Sequence, residues 1–482
     1  MASRRLALNF NRGLNARSRI NNITRLKRGL ATPTIRNDLK TETTTLTNGF
    51  TVATEHSPWA QTSTVGVWID AGSRAETDRS NGTAHFLEHL AFKGTGKRTQ
   101  TQLELEIENM GGHLNAYTSI NTANRLIILQ KRENTVYYAK AFNADVPVTV
   151  DILSDILQNS KLEPLAIERE RDVILRESEE VDKQLEEVVF DHLHATAFQG
   201  QPLGRTILGP AENIRSIQKE DLTNYTADRM VLVGAGGVSH AQLVNLAEKH
   251  FSNLPSAKLS NTLQENKVKP KFWGSEVRLR DDTLPTANIA IAVEGVSWKD
   301  PDYFTALITQ AIVGNWDKAM GNAPHLGSSL SSFVHKNELA NSFMSFSTSY
   351  SDTGLWGIYL VTDKLTRIDD LVHFTLREWS RLCYEVTEAE VERAKAQLKA
   401  SILLSLDGTT AVAEDIGRQI ITTGRRMGPE EIERQINEIT EKEVLDFAQR
   451  KIWDQDIAVS AVGSIEGLLD YQRIRNDMSR NA

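Results

Sequence analysis

Strand-ending glycines recur along this chain at a spacing that restricts its architecture. An apolar run at 63–70 ends at Ala71-Gly72-Ser73, and Met230–Val233 ends at Gly234, 162 positions after Gly72. The pattern then restarts. Asn288–Val293 ends at Glu294-Gly295 and Ile457–Val462 ends at Gly463, 168 positions apart. Helical patterns follow these turns, as at Tyr303–Val313. Self-similarity of this kind reads as a diverged duplication of an α/β unit of roughly 200 residues. The expected fold is therefore α+β, with two homologous α/β domains, each a mixed sheet packed by helices. A chain of 482 residues is long enough for both cores. The polar, Lys-rich stretch 256–274 reads as a linker between units at 40–255 and 275–475.

Within the first unit, Asn48-Gly49 between Thr43–Leu46 and Phe50–Thr54 predicts a hairpin. A helix is expected from Ser80–Thr83, both usable caps, to Leu90, and another over about Thr101–Met110. Strands are expected at His113–Thr118 and Asn134–Ala141, and long amphipathic helices at Val146–Gln158 and Pro164–Ala195. Gly234-Ala235-Gly236-Gly237 resembles a nucleotide-binding turn, but Ser239 holds the place of the last glycine. It reads as a tight strand-to-helix turn.

Charge divides the chain sharply. Met1–Leu30 holds Arg4, Arg5, Arg12, Arg17, Arg19, Arg25, Lys27 and Arg28 and no acid. The net charge of −8 thus conceals −16 on the remainder. An Arg-rich, acid-free leader carrying Leu6, Leu8, Phe10 and Leu14 on an acidic body predicts a mitochondrial transit peptide over 1–30, not nucleic-acid binding. No apolar run approaches the roughly 18–20 residues of a membrane-spanning helix. The single cysteine, Cys383, excludes an intrachain disulfide and a Cys-rich zinc module.

His85-Phe86-Leu87-Glu88-His89 carries the chemistry. On a helix, residues i, i+3 and i+4 share a face, so His85 and His89 offer two imidazoles to one metal beside Glu88. A catalytic zinc takes three protein ligands and an open position. The metal lowers the pKa of water, and a carboxylate at Glu88 can take its proton as general base. H-x-x-E-H is the inverted zinc-peptidase pattern. The third ligand must come from elsewhere. The acidic helix offers Glu168, Glu170, Glu177, Glu179 and Glu180, and spacing does not choose among them.

The run Asn81-Gly82-Thr83-Ala84-His85-Phe86-Leu87-Glu88-His89-Leu90-Ala91-Phe92-Lys93-Gly94-Thr95 resembles the pitrilysin-type, insulysin-related zinc peptidases. The likeness continues through Leu114-Asn115-Ala116-Tyr117-Thr118, Arg176-Glu177-Ser178-Glu179-Glu180 and Phe190-Asp191-His192-Leu193-His194. It implies one Zn2+ per chain on His85, His89 and Glu177, with Glu170 supporting the site. It implies that Glu187 and Asp191 bind a substrate arginine, that Phe92 contacts the residue after the scissile bond, and that Asn115 and Ala116 lie on an edge strand pairing with extended substrate. His113, His192 and His194 are not expected to be ligands.

The resemblance further implies an endopeptidase that removes N-terminal presequences in the mitochondrial matrix, near an arginine. The chain would be a clam-like half of a heterodimer, completed by a homologous α subunit with a glycine-rich loop. An acidic chamber suits basic presequence peptides. Two other readings stand beside it: a structural core subunit of the cytochrome bc1 complex on the matrix side of the inner membrane, and a presequence-binding module without turnover. The second half lacks the metal motif. Aligning Gly72 with Gly295 puts Ile308, Ala311 and Ile312 where His85, Glu88 and His89 stand. Two departures from the family mark the first half. Ile120–Lys131 intervenes where relatives run on directly, either a retained intron or a real loop, and a few residues are missing near Asn224-Tyr225-Thr226.

Overall fold

The computed structural model describes residues 40–117, 132–222, 226–256, 268–320 and 327–479. The leader, the Ile120–Lys131 segment, the gap near Tyr225 and most of the expected linker lie outside them.

Among the described residues, two six-stranded sheets form. The first contains β1 (Thr41–Thr45), β2 (Thr51–His56), β3 (Thr62–Ile69), β4 (His113–Tyr117), β5 (Thr135–Phe142) and β6 (Met230–Gly236), in the order β1-β2-β6-β3-β5-β4. The second contains β7 (Ser275–Arg280), β8 (Ala287–Glu294), β9 (Asn315–Asp317), β10 (Ser342–Ser349), β11 (Gly354–Thr362) and β12 (Ala458–Gly463), in the order β7-β12-β8-β11-β10-β9. The expected hairpin is β1–β2, with Thr45 opposite Thr51 and Asn48 donating to the Phe251 carbonyl at 2.9 Å.

The duplication is legible in the pairing. Each sheet has one parallel pair, β2 with β6 and β7 with β12, and is otherwise antiparallel. Matching these pairs aligns β3 with β8, β5 with β11 and β4 with β10. The glycine equivalent to Gly463 is Gly236, not Gly234. Both have left-handed backbone, at φ +113° and +106°. A Cβ on either would meet a backbone oxygen at 2.3 Å, that of Thr62 or of Thr286. The chain crosses itself closely at both points, so only glycine fits.

Six helices position the site and join the halves: α1 (Thr83–Leu90), α2 (Pro164–Val181), α3 (Leu185–Ala197), α4 (Tyr303–Val313), α5 (Glu388–Ser405) and α6 (Thr409–Thr423). The single helix expected over Pro164–Ala195 is two, α2 and α3, broken at Asp182–Gln184. The break separates two destinations. The α2 residues Ile167 and Ile174 pack with Phe86 and Leu90 of α1. The α3 residues Val189, Phe190 and Leu193 pack instead on Ala290, Phe346 and Ala458 of the second sheet. The exchange is reciprocal: Ala413, Ile416 and Ile420 of α6 cover Ala53, Trp68 and Val233 of the first sheet. Gly417 admits the Trp68 indole, which a Cβ would meet at 2.3 Å. Each half thus lends the other a helix, and apolar surface is buried across the whole body.

In the second half, α4 buries Ile308 and Ile312 in its own core. Where α1 carries imidazoles, its counterpart carries packing residues.

Candidate metal centre

The turn before α1 sets up the site. The helix has no side-chain cap from Ser80 or Thr83, contrary to expectation, and Gly82 occupies the N-cap position. The Glu76 carboxylate caps it instead, accepting from Gly82 N at 2.9 Å, Ala84 N at 2.7 Å and the Asn81 amide at 2.9 Å. A buried carboxylate meets the otherwise unpaired amides of a helix start and favours its dipole. Burial pushes the Glu76 carboxyl pKa up, against the pull of these bonds.

One turn on, His85 and His89 stand with ring centroids 4.7 Å apart. Their Nε2 atoms lie 3.2 and 3.1 Å from the same oxygen, Oε2 of Glu177 on α2. Among the described residues this is the one group of His, Cys, Asp and Glu side chains whose ligand atoms gather closely enough for a metal ion. The chemistry fits zinc. Two imidazoles and a carboxylate are a catalytic ligand set, and donors roughly 2.0–2.1 Å from a tetrahedral ion are about 3.3 Å from one another. His89 Nδ1 donates to Glu170 Oε2 at 3.2 Å, and Glu170 Oε1 accepts from Lys93 Nζ at 2.7 Å. A carboxylate behind a ligating histidine fixes its tautomer and ring plane. Glu88 lies with Oε2 3.6 Å from His85 Nδ1.

Burial disfavours the His85 cation, but hydrogen bonds to Glu177 and Glu88 outweigh it and push its pKa up to about 9. Burial likewise opposes ionisation of Glu177, yet the two histidines hold its carboxyl well below the usual range.

The other residues singled out by the sequence lie on several elements. Phe92, just past α1, is half-buried against the first core. Asn115 and Ala116 sit on β4, the edge strand, opposite Tyr138 and Tyr137; Asn115 is exposed and Ala116 buried. Glu187 and Asp191 lie on α3, and Asp191 is ion-paired with Arg132. His194 is buried: its Nδ1 donates to the Phe190 carbonyl at 2.7 Å, and its Nε2 meets Tyr350 Oη at 2.6 Å. Burial holds its pKa well below the usual value. The Glu76 cap and the Lys93 partner of Glu170 were not legible from spacing, and no local signal marks either.

A fold of two equivalent sheets with an H-x-x-E-H helix and a distant glutamate defines a metallopeptidase. Residues 51–211 match the model of the insulinase family, peptidase family M16, and residues 217–398 that of the M16 inactive domain. The chain belongs to peptidase family M16. It is 74% identical to the mitochondrial-processing peptidase subunit beta of Neurospora crassa over the whole of both chains. It is 53% identical to that of Saccharomyces cerevisiae (91% of this chain, 95% of the relative) and 49% identical to the human one (93% and 89%). A chain of the complex III2 structure from Candida albicans, Inz-5 bound, matches with a TM-score of 0.78 at 31% identity, over 91% of this chain and 99% of that one.

Proposed function

We propose that this chain is the catalytic subunit of a mitochondrial presequence-processing peptidase. The observation that carries the reading is the convergence of His85 and His89 on Glu177 Oε2, joined to the identity with β subunits of that peptidase along the full chain. His85, His89 and Glu177 would hold the zinc, and Glu170 would orient His89. The ion would supply Lewis acidity at the scissile carbonyl and at water. Glu88 takes the proton of the attacking water and returns it to the leaving amine. β4, at the edge of the sheet among the described residues, pairs with the extended substrate backbone at Asn115 and Ala116. Phe92 packs on the residue after the cut, and α3 supplies the acid for the nearby arginine. Residues 40–255 form the catalytic unit, 275–475 its companion, and 1–30 a leader directing the chain to the matrix. A homologous α subunit with a glycine-rich loop completes the chamber.

The match to a complex III chain supports a second role, as a core subunit of that complex. No helix among the described residues is long and apolar enough to cross a membrane, so such a role would be peripheral.

The test is cleavage of an arginine-containing presequence peptide by the mature chain mixed with its α partner, against Glu88→Gln. The expected result is zinc-dependent cleavage that the substitution abolishes while zinc stays bound. No cleavage from a zinc-loaded heterodimer would overturn the peptidase reading in favour of the core subunit.

A further inference from the structure

Glu76 precedes the first metal ligand by nine positions, yet it holds the start of the ligand helix. Helix α1 has eight residues, about two turns, so the direction of its first turn decides where His85, Glu88 and His89 point. The first amides of a helix have no partner within it. Here Thr83 N donates to the Ser80 carbonyl at 3.0 Å. Gly82 N and Ala84 N donate to the two different oxygens of Glu76, which is 8% exposed. Glu76 is itself tied down. Its carbonyl accepts from Arg205, which also pairs with Asp78. Asn81 donates to Glu76 Oε2 and to the Thr206 carbonyl, both at 2.9 Å. The Asn213 amide bridges the Asp78 and Asn81 carbonyls at 2.8 and 3.1 Å. The same segment grips α2: Arg171, buried beside Glu170 in the sequence, donates to the Ile214 and Ile217 carbonyls at 2.8 and 3.1 Å.

An N-cap side chain on the helix itself satisfies an amide and moves with the helix. A carboxylate from a separate, buried turn fixes the helix to its surroundings, and here those surroundings also hold the helix that bears Glu177. We propose that Glu76 is a positioning residue of the metal centre. By anchoring the Gly82 and Ala84 amides, it sets the direction in which α1 presents His85 and His89 to Glu177, and Glu88 to the attacking water. The inference rests on the zinc-peptidase reading above.

Three readouts test it together: zinc affinity, the Tm of the metal-free chain, and the kinetics of the α-partnered enzyme at saturating zinc. Glu76→Gln keeps the shape and one acceptor oxygen, but its amide nitrogen turns a donor toward a donor. Zinc affinity should fall about tenfold, as on loss of a partner that orients a ligand. At saturating zinc kcat should also fall about tenfold or more, with KM within about twofold of wild type, because Glu88 is displaced while β4 is untouched. Gly417→Ala, which crowds Trp68 from α6, is the control: it should lower the metal-free Tm and leave zinc affinity and kcat at the wild-type values. Should Glu76→Gln fail to fold, Glu76→Asp carries the test. It keeps the charge but is one methylene too short to span both amides, and its zinc affinity should fall severalfold. A folded Glu76 variant with zinc affinity within about twofold of wild type, whatever its metal-free Tm, would overturn the proposal and leave Glu76 a stabilising cap. An unchanged kcat at saturating zinc would overturn it as well, since Glu88 rides on the same helix. A wild-type chain that binds zinc but leaves the peptide uncut would strike the presequence reading instead, and the zinc affinities would still decide the role of Glu76.

Discussion

Glu170 offers the most direct test of how the metal centre is built. Its side chain is 10% exposed and makes two contacts, His89 Nδ1 at 3.2 Å and Lys93 Nζ at 2.7 Å. Removing such a partner behind a ligating histidine costs roughly 10–100-fold in metal affinity. Glu170→Gln keeps a carbonyl to accept the His89 N–H but loses the charge and the acceptor facing Lys93, so its zinc affinity should fall about tenfold. Glu170→Ala leaves the ring without an orienting acceptor and should approach a hundredfold loss, about 2.7 kcal/mol. The Lys93 ion pair is partly solvated and contributes under about 1 kcal/mol. Competition against a chromophoric chelator gives the affinity, and melting with and without EDTA separates the two effects. At fixed excess zinc, each tenfold loss of affinity removes about 1.4 kcal/mol of ligand stabilisation. The metal-free Tm should therefore move little and the loaded Tm clearly, more for Ala than for Gln. A Glu170→Ala chain that binds zinc within about twofold of wild type, with the whole loss in the metal-free melt, would refute the orienting role and leave Glu170 as a partner of Lys93 alone.

Three further outcomes follow from the packing. Gly417→Val should destabilise by about 1–3 kcal/mol, read by urea denaturation, because even a Cβ there meets the Trp68 indole at 2.3 Å. Tyr350→Phe deprives the buried His194 Nε2 of its partner and should cost about 1–3 kcal/mol; zinc content should not change. Burial pushes the Glu414 carboxyl up to about 7, against Arg418 and a hydrogen bond from Trp68. An acid whose pKa is raised on folding contributes stability that is full below its ordinary value of 4.5 and lost as pH rises through 7. Urea midpoints across pH 4.5–7.5 should accordingly decline less in Glu414→Gln than in wild type; parallel profiles would contradict the assignment.

What sequence determined here is local or periodic. His85, Glu88 and His89 share a face because helix geometry puts i, i+3 and i+4 together whatever surrounds them. The β1–β2 hairpin follows from the chemistry of one turn, and the duplication from strand, glycine and helix recurring in order. The resemblance carried Glu177 and Glu170, which spacing left among five acids. Other features depended on chain segments far apart in sequence. The break at Asp182–Gln184 has no proline or glycine to announce it; it exists because α2 and α3 bury their apolar faces against different halves. Gly236 rather than Gly234 answers to Gly463 because a distant carbonyl, not the neighbouring residues, forbids a side chain. Glu76 caps the ligand helix, Arg132 pairs with Asp191, and α6 covers the first sheet only once the body has closed. A helical repeat is dictated by covalent geometry and therefore written in any short window of sequence. Which buried charge finds which partner, and which sheet a helix covers, depends on water being excluded between surfaces that only the folded chain brings together.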